Sequence, residues 1–207
     1  DLRSARRRME REGAQFEMLP VDSVSAVLDE LAAVSDAWLA KKNTREKRFS
    51  LGCFDRAYLA RTPVAVVRRG GRIVAFANVW APAARAEISI DLMRYDDDAP
   101  SGVMDFLFAE MMLWSRAEGY EWFGLGMAPL AGVERHRLAP LWNRLGALLF
   151  RHGEHFYNFQ GLRDYKQKFD PVWEPRYLAS PGAFSLPIVL TQTAALISGG
   201  MTGAVRR

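Results

Sequence analysis

At 207 residues and 23.4 kDa, with 49% hydrophobic and 25% charged content, the chain is long enough to bury a substantial core and too apolar to remain disordered. Its single cysteine, Cys53, excludes an internal disulfide framework and fits a reducing compartment. Three histidines without HExxH spacing give no basis for a zinc site, so no metal is expected. The formal net charge is only +4, but the cations are bunched. Arg3, Arg6, Arg7, Arg8 and Arg11 form one cluster, and Lys41, Lys42, Arg45, Lys47 and Arg48 a second. Such bunching points to an anionic partner, nucleic acid or acidic lipid, against the plainer alternative of solvated helix faces.

In chain order, residues 2–12 read as a basic helix stopped by Gly13, followed by a strand at Phe16–Leu19 and a turn at Pro20. Val24, Val27, Leu28, Leu31, Val34 and Trp38 recur at helical spacing, predicting an amphipathic helix over 23–41. Cys53–Tyr58 reads as a loop. Val64–Arg69 and Arg72–Trp80 are β-rich runs joined by Gly70-Gly71, the signature of a tight hairpin. Glu87, Ser89 and Asp91 alternate with Ile88, Ile90 and Leu92, predicting a strand with Asp91 at its end. After the acidic run Asp96–Asp98, a helix opens at Pro100-Ser101, presents Val103, Phe106, Leu107, Met111 and Trp114 to a sheet, and stops at Gly119. A short buried strand at 122–125, a helix at 138–150, a strand at 156–159, a short helix at 162–169 and a last strand at 173–178 complete the expected elements. Leu186, Val189, Leu190, Thr193, Ala194 and Ile197 then mark one apolar side of a C-terminal helix. That helix packs on the domain or, in the sharper alternative, docks at a bilayer interface.

This order predicts an α/β (α+β layered) fold of acetyltransferase-like (GNAT) type, with a central mixed, mostly antiparallel sheet flanked by helices. The expected division is a basic connector helix and short strand at 1–20 and a catalytic domain at 21–207. The chain starts at Asp1 inside an arginine-rich pattern, from which we expect a piece of something longer. No run of about 18 apolar residues, the length that spans a bilayer, is present. In an acetyl-CoA enzyme of this topology a glycine-rich turn at a helix N-terminus cradles the pyrophosphate. Asp96, Asp97, Asp98 and Pro100 stand there instead, which disfavours a CoA cofactor.

Four segments, DLMRY (91–95), SGVMDFLF (101–108), LGMAPL (125–130) and HGEHFYNFQGLRDYKQKFDPVWEPRYLA (152–179), with FSLGCFD (49–55) and AFANVWA (75–81), carry a specific resemblance. The chain resembles, from about residue 12 to residue 200, the C-terminal catalytic domain of bacterial phosphatidylglycerol aminoacyltransferases, the multiple peptide resistance factor family. The resemblance implies transfer of lysine, weakly favoured, or alanine from aminoacyl-tRNA to the glycerol hydroxyl of phosphatidylglycerol, with no cofactor. It also implies the second half of a tandem of acetyltransferase-like folds, at the cytoplasmic face of the membrane, behind a membrane-spanning domain of the same parent chain. The family's Asp and Arg of DLMR and Lys of YK map onto Asp91, Arg94 and Lys166, and Tyr58 resembles a position lining the substrate channel.

The residue types agree with that chemistry. Ester exchange between hydroxyls needs an activated nucleophile, a proton donor and cations for phosphodiesters, types that Asp91, Arg94 and Lys166 together supply, with Arg94 as a phosphate fork and Lys166 as a holder of a phosphate or of the developing oxyanion. Each has a plainer alternative: an Asp91–Arg94 salt bridge, a solvated lysine at 166, a core-edge tyrosine at 58. Glu174 and Arg176 form either a structural pair or a site for an α-ammonium group. The rival functions are a CoA-dependent N-acyltransferase and a non-catalytic lipid- or tRNA-binding module.

Overall fold

The computed structural model describes residues 2–42, 52–129, 159–177, 179, 181–182 and 185–197. The chain divides into two compact units, residues 1–124 with 180–207, and residues 125–179. The first unit holds a five-stranded sheet in the order β1-β2-β3-β4-β5, namely Ala14–Leu19, Val64–Arg69, Arg72–Trp80, Glu87–Tyr95 and Trp122–Gly124. The first four strands form an antiparallel meander, and β5 joins β4 in parallel. This is the mixed, mostly antiparallel sheet expected from the pattern. Gly70 and Gly71, with φ of 57° and 81°, make the two-residue turn between Arg69 and Arg72, because only glycine takes positive φ at both centres without strain.

Helices cover both faces. On one side lie α2 (Val21–Val24), a 3-10 turn at Ser25–Val27 and α3 (Leu28–Lys42), so the helix expected over 23–41 begins directly after Pro20 and tightens midway. Val24, Leu31 and Val34 pack there with Leu19, Leu59, Val64, Val66, Ile73, Phe76 and Leu92. Fully burying a side chain of this size contributes about 1.5–3 kcal/mol. Against the other face lie α1 (Leu2–Arg11) and α5 (Val103–Ala117), with Met9, Val103, Phe106, Leu107 and Met111 buried. Arg6 is hydrogen-bonded to Glu110 of α5, and Arg8 Nη2 donates to the Ser101 carbonyl at 2.5 Å. The first twenty residues, set apart in the sequence as a connector, are therefore built into this unit: α1 packs on α5, and β1 pairs with β2 along its whole length.

Several expectations need correction. Residues 56–59 are not loop but a helical turn, α4, capped by the Asp55 carboxylate, which accepts from the Tyr58 N–H at 2.8 Å. Strand β4 runs on to Tyr95, so Asp91 lies inside the strand rather than at its end. Trp122 is 59% exposed, because β5 is a short edge strand. In the second unit, α6 spans Phe159–Gln167. Phe159, expected in a strand, opens that helix, and residues 171–177 carry no regular structure where the last strand was expected. Residues 138–150 and 156–158 lie outside the described residues. The C-terminal helix α7 spans Leu186–Ile197; Ala195 is buried, while Ile188, Leu190 and Leu196 face outward. No described helix is long and apolar enough to cross a membrane.

Candidate active site

The site of the first unit is built on an irregularity in β4. Phe76 pairs with Arg94, and Trp80 with Ser89. Phe76 and Trp80 are four apart on β3 and share a face, so Ser89 and Arg94 share it too, although they are five apart. Asp91 and Leu92 thus stand together opposite Asn78, a β-bulge of the kind that re-aims side chains near active sites. In an unbroken strand Asp91 and Arg94 would face opposite ways. The bulge puts both on the side covered by α3.

A bulge leaves a backbone donor without its ladder partner. Here the Leu92 N–H is taken by the Asn78 side-chain oxygen at 2.7 Å, in a fully buried position. The other end of the same carboxamide donates from Nδ2 to the Tyr58 hydroxyl at 3.0 Å. Trp80 Nε1 donates to that hydroxyl at 2.7 Å, and Tyr58 in turn donates to Asp91 Oδ2 at 2.8 Å. Burial, with the hydrogen bond to Asp91, raises the Tyr58 hydroxyl above its ordinary pKa against the opposing pull of the two N–H donors. From the chain segment before α4, Gly52 presses on the bulge. A β-carbon there would lie 2.8 Å from the Asp91 carbonyl carbon and from the Leu92 nitrogen.

Arg94 is only 9% exposed. Its guanidinium lies 4.1 Å from the ring centroid of Trp38 on α3, and Nη1 donates to the Met93 carbonyl at 2.9 Å. Stacking on an indole fixes the plane of the guanidinium fork. The contacts seen for Asp91 and Arg94 thus diverge, one to Tyr58 and one to Trp38, rather than describing a plain bridge between them.

Lys166 belongs to the second unit. It sits on α6, is 7% exposed, and donates from Nζ to the Met127 carbonyl at 2.7 Å. Burial lowers its pKa from 10.5 to about 8, which removes the reading as a solvated lysine. Glu174 and Arg176 pair with each other at 2.9 Å on the surface. Both are more than 60% exposed, so the pair contributes at most about 1 kcal/mol. The acidic run is also engaged: Asp96 pairs with Arg72 at 2.9 Å, and Asp97 with Lys41. Among the described residues no group of histidine, cysteine and carboxylate side chains could hold a metal ion.

Residues 1–180 match the family described as "Phosphatidylglycerol lysyltransferase, C-terminal". The chain belongs to that family. A phosphatidylglycerol lysyltransferase of Bacillus subtilis is 43% identical over 198 residues, which cover 95% of this chain and 23% of the relative. Among solved structures, the C-terminal domain of a putative lysylphosphatidylglycerol synthetase from Agrobacterium fabrum matches at 49% identity with a TM-score of 0.82. L-PGS from Bacillus licheniformis matches at 41% identity with a TM-score of 0.79. The chain spans 59% and 60% of those two solved chains.

Four residues around Asp91 and Arg94 are not among the candidates that the sequence singles out, although Gly52, Asn78 and Trp80 lie inside the runs FSLGCFD and AFANVWA. Trp38 reads there as an apolar helix position and Trp80 as the end of a strand. Asn78 carried a legible signal, a lone carboxamide inside an otherwise apolar strand, since a buried amide needs partners. For Gly52 the residue pattern shows no contact, because the segment it presses against is distant in sequence.

Proposed function

We propose that this chain is the catalytic part of a longer, membrane-attached enzyme that moves an aminoacyl group from aminoacyl-tRNA to the glycerol hydroxyl of phosphatidylglycerol. Lysyl is favoured over alanyl, in keeping with the names of the relatives. The observation that carries the reading is the Asp91 carboxylate, held through one oxygen by Tyr58 on the same face as Arg94. The lipid hydroxyl oxygen attacks the aminoacyl carbonyl carbon and its proton passes to Asp91. The bond to the ribose oxygen breaks and that oxygen takes up a proton. One ester is lost and one formed, with no net oxidation.

Lys166 is assigned the proton for the departing ribose oxygen. Its lowered pKa lets it give up a proton near neutral pH and still carry one at the start. Arg94 is assigned a phosphodiester oxygen or the developing oxyanion, with its guanidinium plane set in advance by Trp38. Glu174 and Arg176 would have to exchange their mutual ion pair for substrate. The membrane-spanning part, the first half of a catalytic tandem and the placement at the cytoplasmic face belong to the same proposal. The much greater length of the curated relatives supports the presence of further parts, and the cytoplasmic face follows only from where charged tRNA is found.

The test is incubation of the chain, and of its longer parent, with phosphatidylglycerol vesicles and separately labelled Lys-tRNA and Ala-tRNA, followed by lipid extraction. Label is expected in the lipid fraction from Lys-tRNA. Label from neither donor with the parent protein contradicts the reading.

A further inference from the structure

The Asn78 carboxamide cannot turn over. Its oxygen is tied to the buried Leu92 N–H at 2.7 Å, so its nitrogen must face Tyr58. A phenol oxygen has two acceptor positions and one proton. Asn78 Nδ2 and Trp80 Nε1 arrive at 3.0 and 2.7 Å, and the Asp91 carboxylate, an acceptor, stands at 2.8 Å on the third side.

We propose that Asn78 and Trp80 are positioning residues whose N–H groups fill both acceptor positions of the Tyr58 hydroxyl and so commit its single proton to Asp91 Oδ2, leaving Oδ1 of that carboxylate for substrate. The inference rests on the reading of Asp91 as the group that meets substrate. The bulge is what makes the arrangement possible. It frees the Leu92 N–H that orients Asn78, and it brings Arg94 onto the face that Asp91 shares with Ser89. An apolar residue at this strand position would pack, but would leave the Leu92 N–H and the Tyr58 hydroxyl without the link that Asn78 makes between them. Tyr58 then acts as a fixed donor that holds Asp91, not as the base itself.

Two readouts separate this wiring from a merely structural role. The first needs no activity: titration of the Tyr58 ring by NMR in protein carrying ¹³Cζ-tyrosine, with the signal assigned by its loss in Tyr58→Phe. Trp80→Phe, which keeps the ring but loses the donor at a half-exposed site, and Asn78→Ala should each raise the Tyr58 midpoint. Asp91→Asn should lower it. An unchanged midpoint in Trp80→Phe, or a fall, overturns the proposal even if Asn78→Ala does not fold.

The second readout is a double-mutant cycle on transfer by the parent protein. Tyr58→Phe and Asn78→Ala should each lower kcat about tenfold with KM little changed, and the pair should be no worse than Tyr58→Phe alone within about twofold. Multiplied losses overturn the proposal. A wild-type protein with no transfer at all would instead contradict the functional reading, and the tyrosine titration would still decide this one.

Discussion

In the proposed transfer Asp91 takes up one proton and Lys166 gives up another, and each is prepared for its part in a different way. Asp91 is held by a hydrogen bond, and Lys166 is tuned by burial. At pH 7 a lysine with a pKa of about 8 is roughly nine-tenths protonated, and the protonated share falls about tenfold per unit well above 8. If Lys166 delivers a proton, the single-turnover rate, corrected for uncatalysed loss of the aminoacyl ester, is level where Asp91 is ionised and Lys166 protonated, and declines through about pH 8. Lys166→Arg keeps the charge at every accessible pH. It should lose that decline while turning over more slowly, since a guanidinium does not release its proton. A wild-type rate that rises through pH 8 would make Lys166 a base instead and exchange the two roles.

At the level of elements, the bulge in β4 decides which residues share a face. The sequence showed β2, β3, the glycine hairpin and α5 clearly, because alternation and helical spacing are local. It placed Asp91 at a strand end because the regular alternation Glu87 to Leu92 breaks there. What breaks it is an extra residue set opposite Asn78. Pairing partners of this kind come from segments far apart in the chain, and no spacing within β4 reveals them. Tyr58 was recognised only through family resemblance, since nothing local shows that α4 meets β4. Two variants probe the bulge directly. Gly52→Ala would drive a methyl into the Asp91–Leu92 backbone and should cost about 1–3 kcal/mol in chemical denaturation. Asn78→Ala would strand the buried Leu92 N–H at a similar cost of about 1–3 kcal/mol. Stability unchanged in both would mean that the segment and the bulge do not support each other.

Across the whole molecule, the basic clusters are partly spent on the fold. Arg6 is engaged with Glu10 and Glu110, Arg8 approaches Glu12 at 4.0 Å, and Lys41 pairs with Asp97. Arg3, Arg7 and Arg11 lie four apart along one exposed side of α1, the arrangement that meets a phosphate backbone without reading bases. Binding of tRNA by this chain should therefore weaken steeply between low and physiological salt, with a smaller salt slope after reversal of those three charges. Affinity indifferent to both changes would return the cluster to a solvated helix face. The proposed transfer depends above all on Asp91. Its most direct test is single-turnover transfer of labelled lysine from Lys-tRNA to phosphatidylglycerol vesicles by the parent protein and its Asp91→Asn variant. The substitution keeps the shape and a hydrogen-bond acceptor for Tyr58 but removes the basic carboxylate. A rate at least about tenfold lower is expected, equivalent to about 1.4 kcal/mol of barrier, with the fold unchanged by circular dichroism. Transfer at the wild-type rate by the folded variant would contradict it.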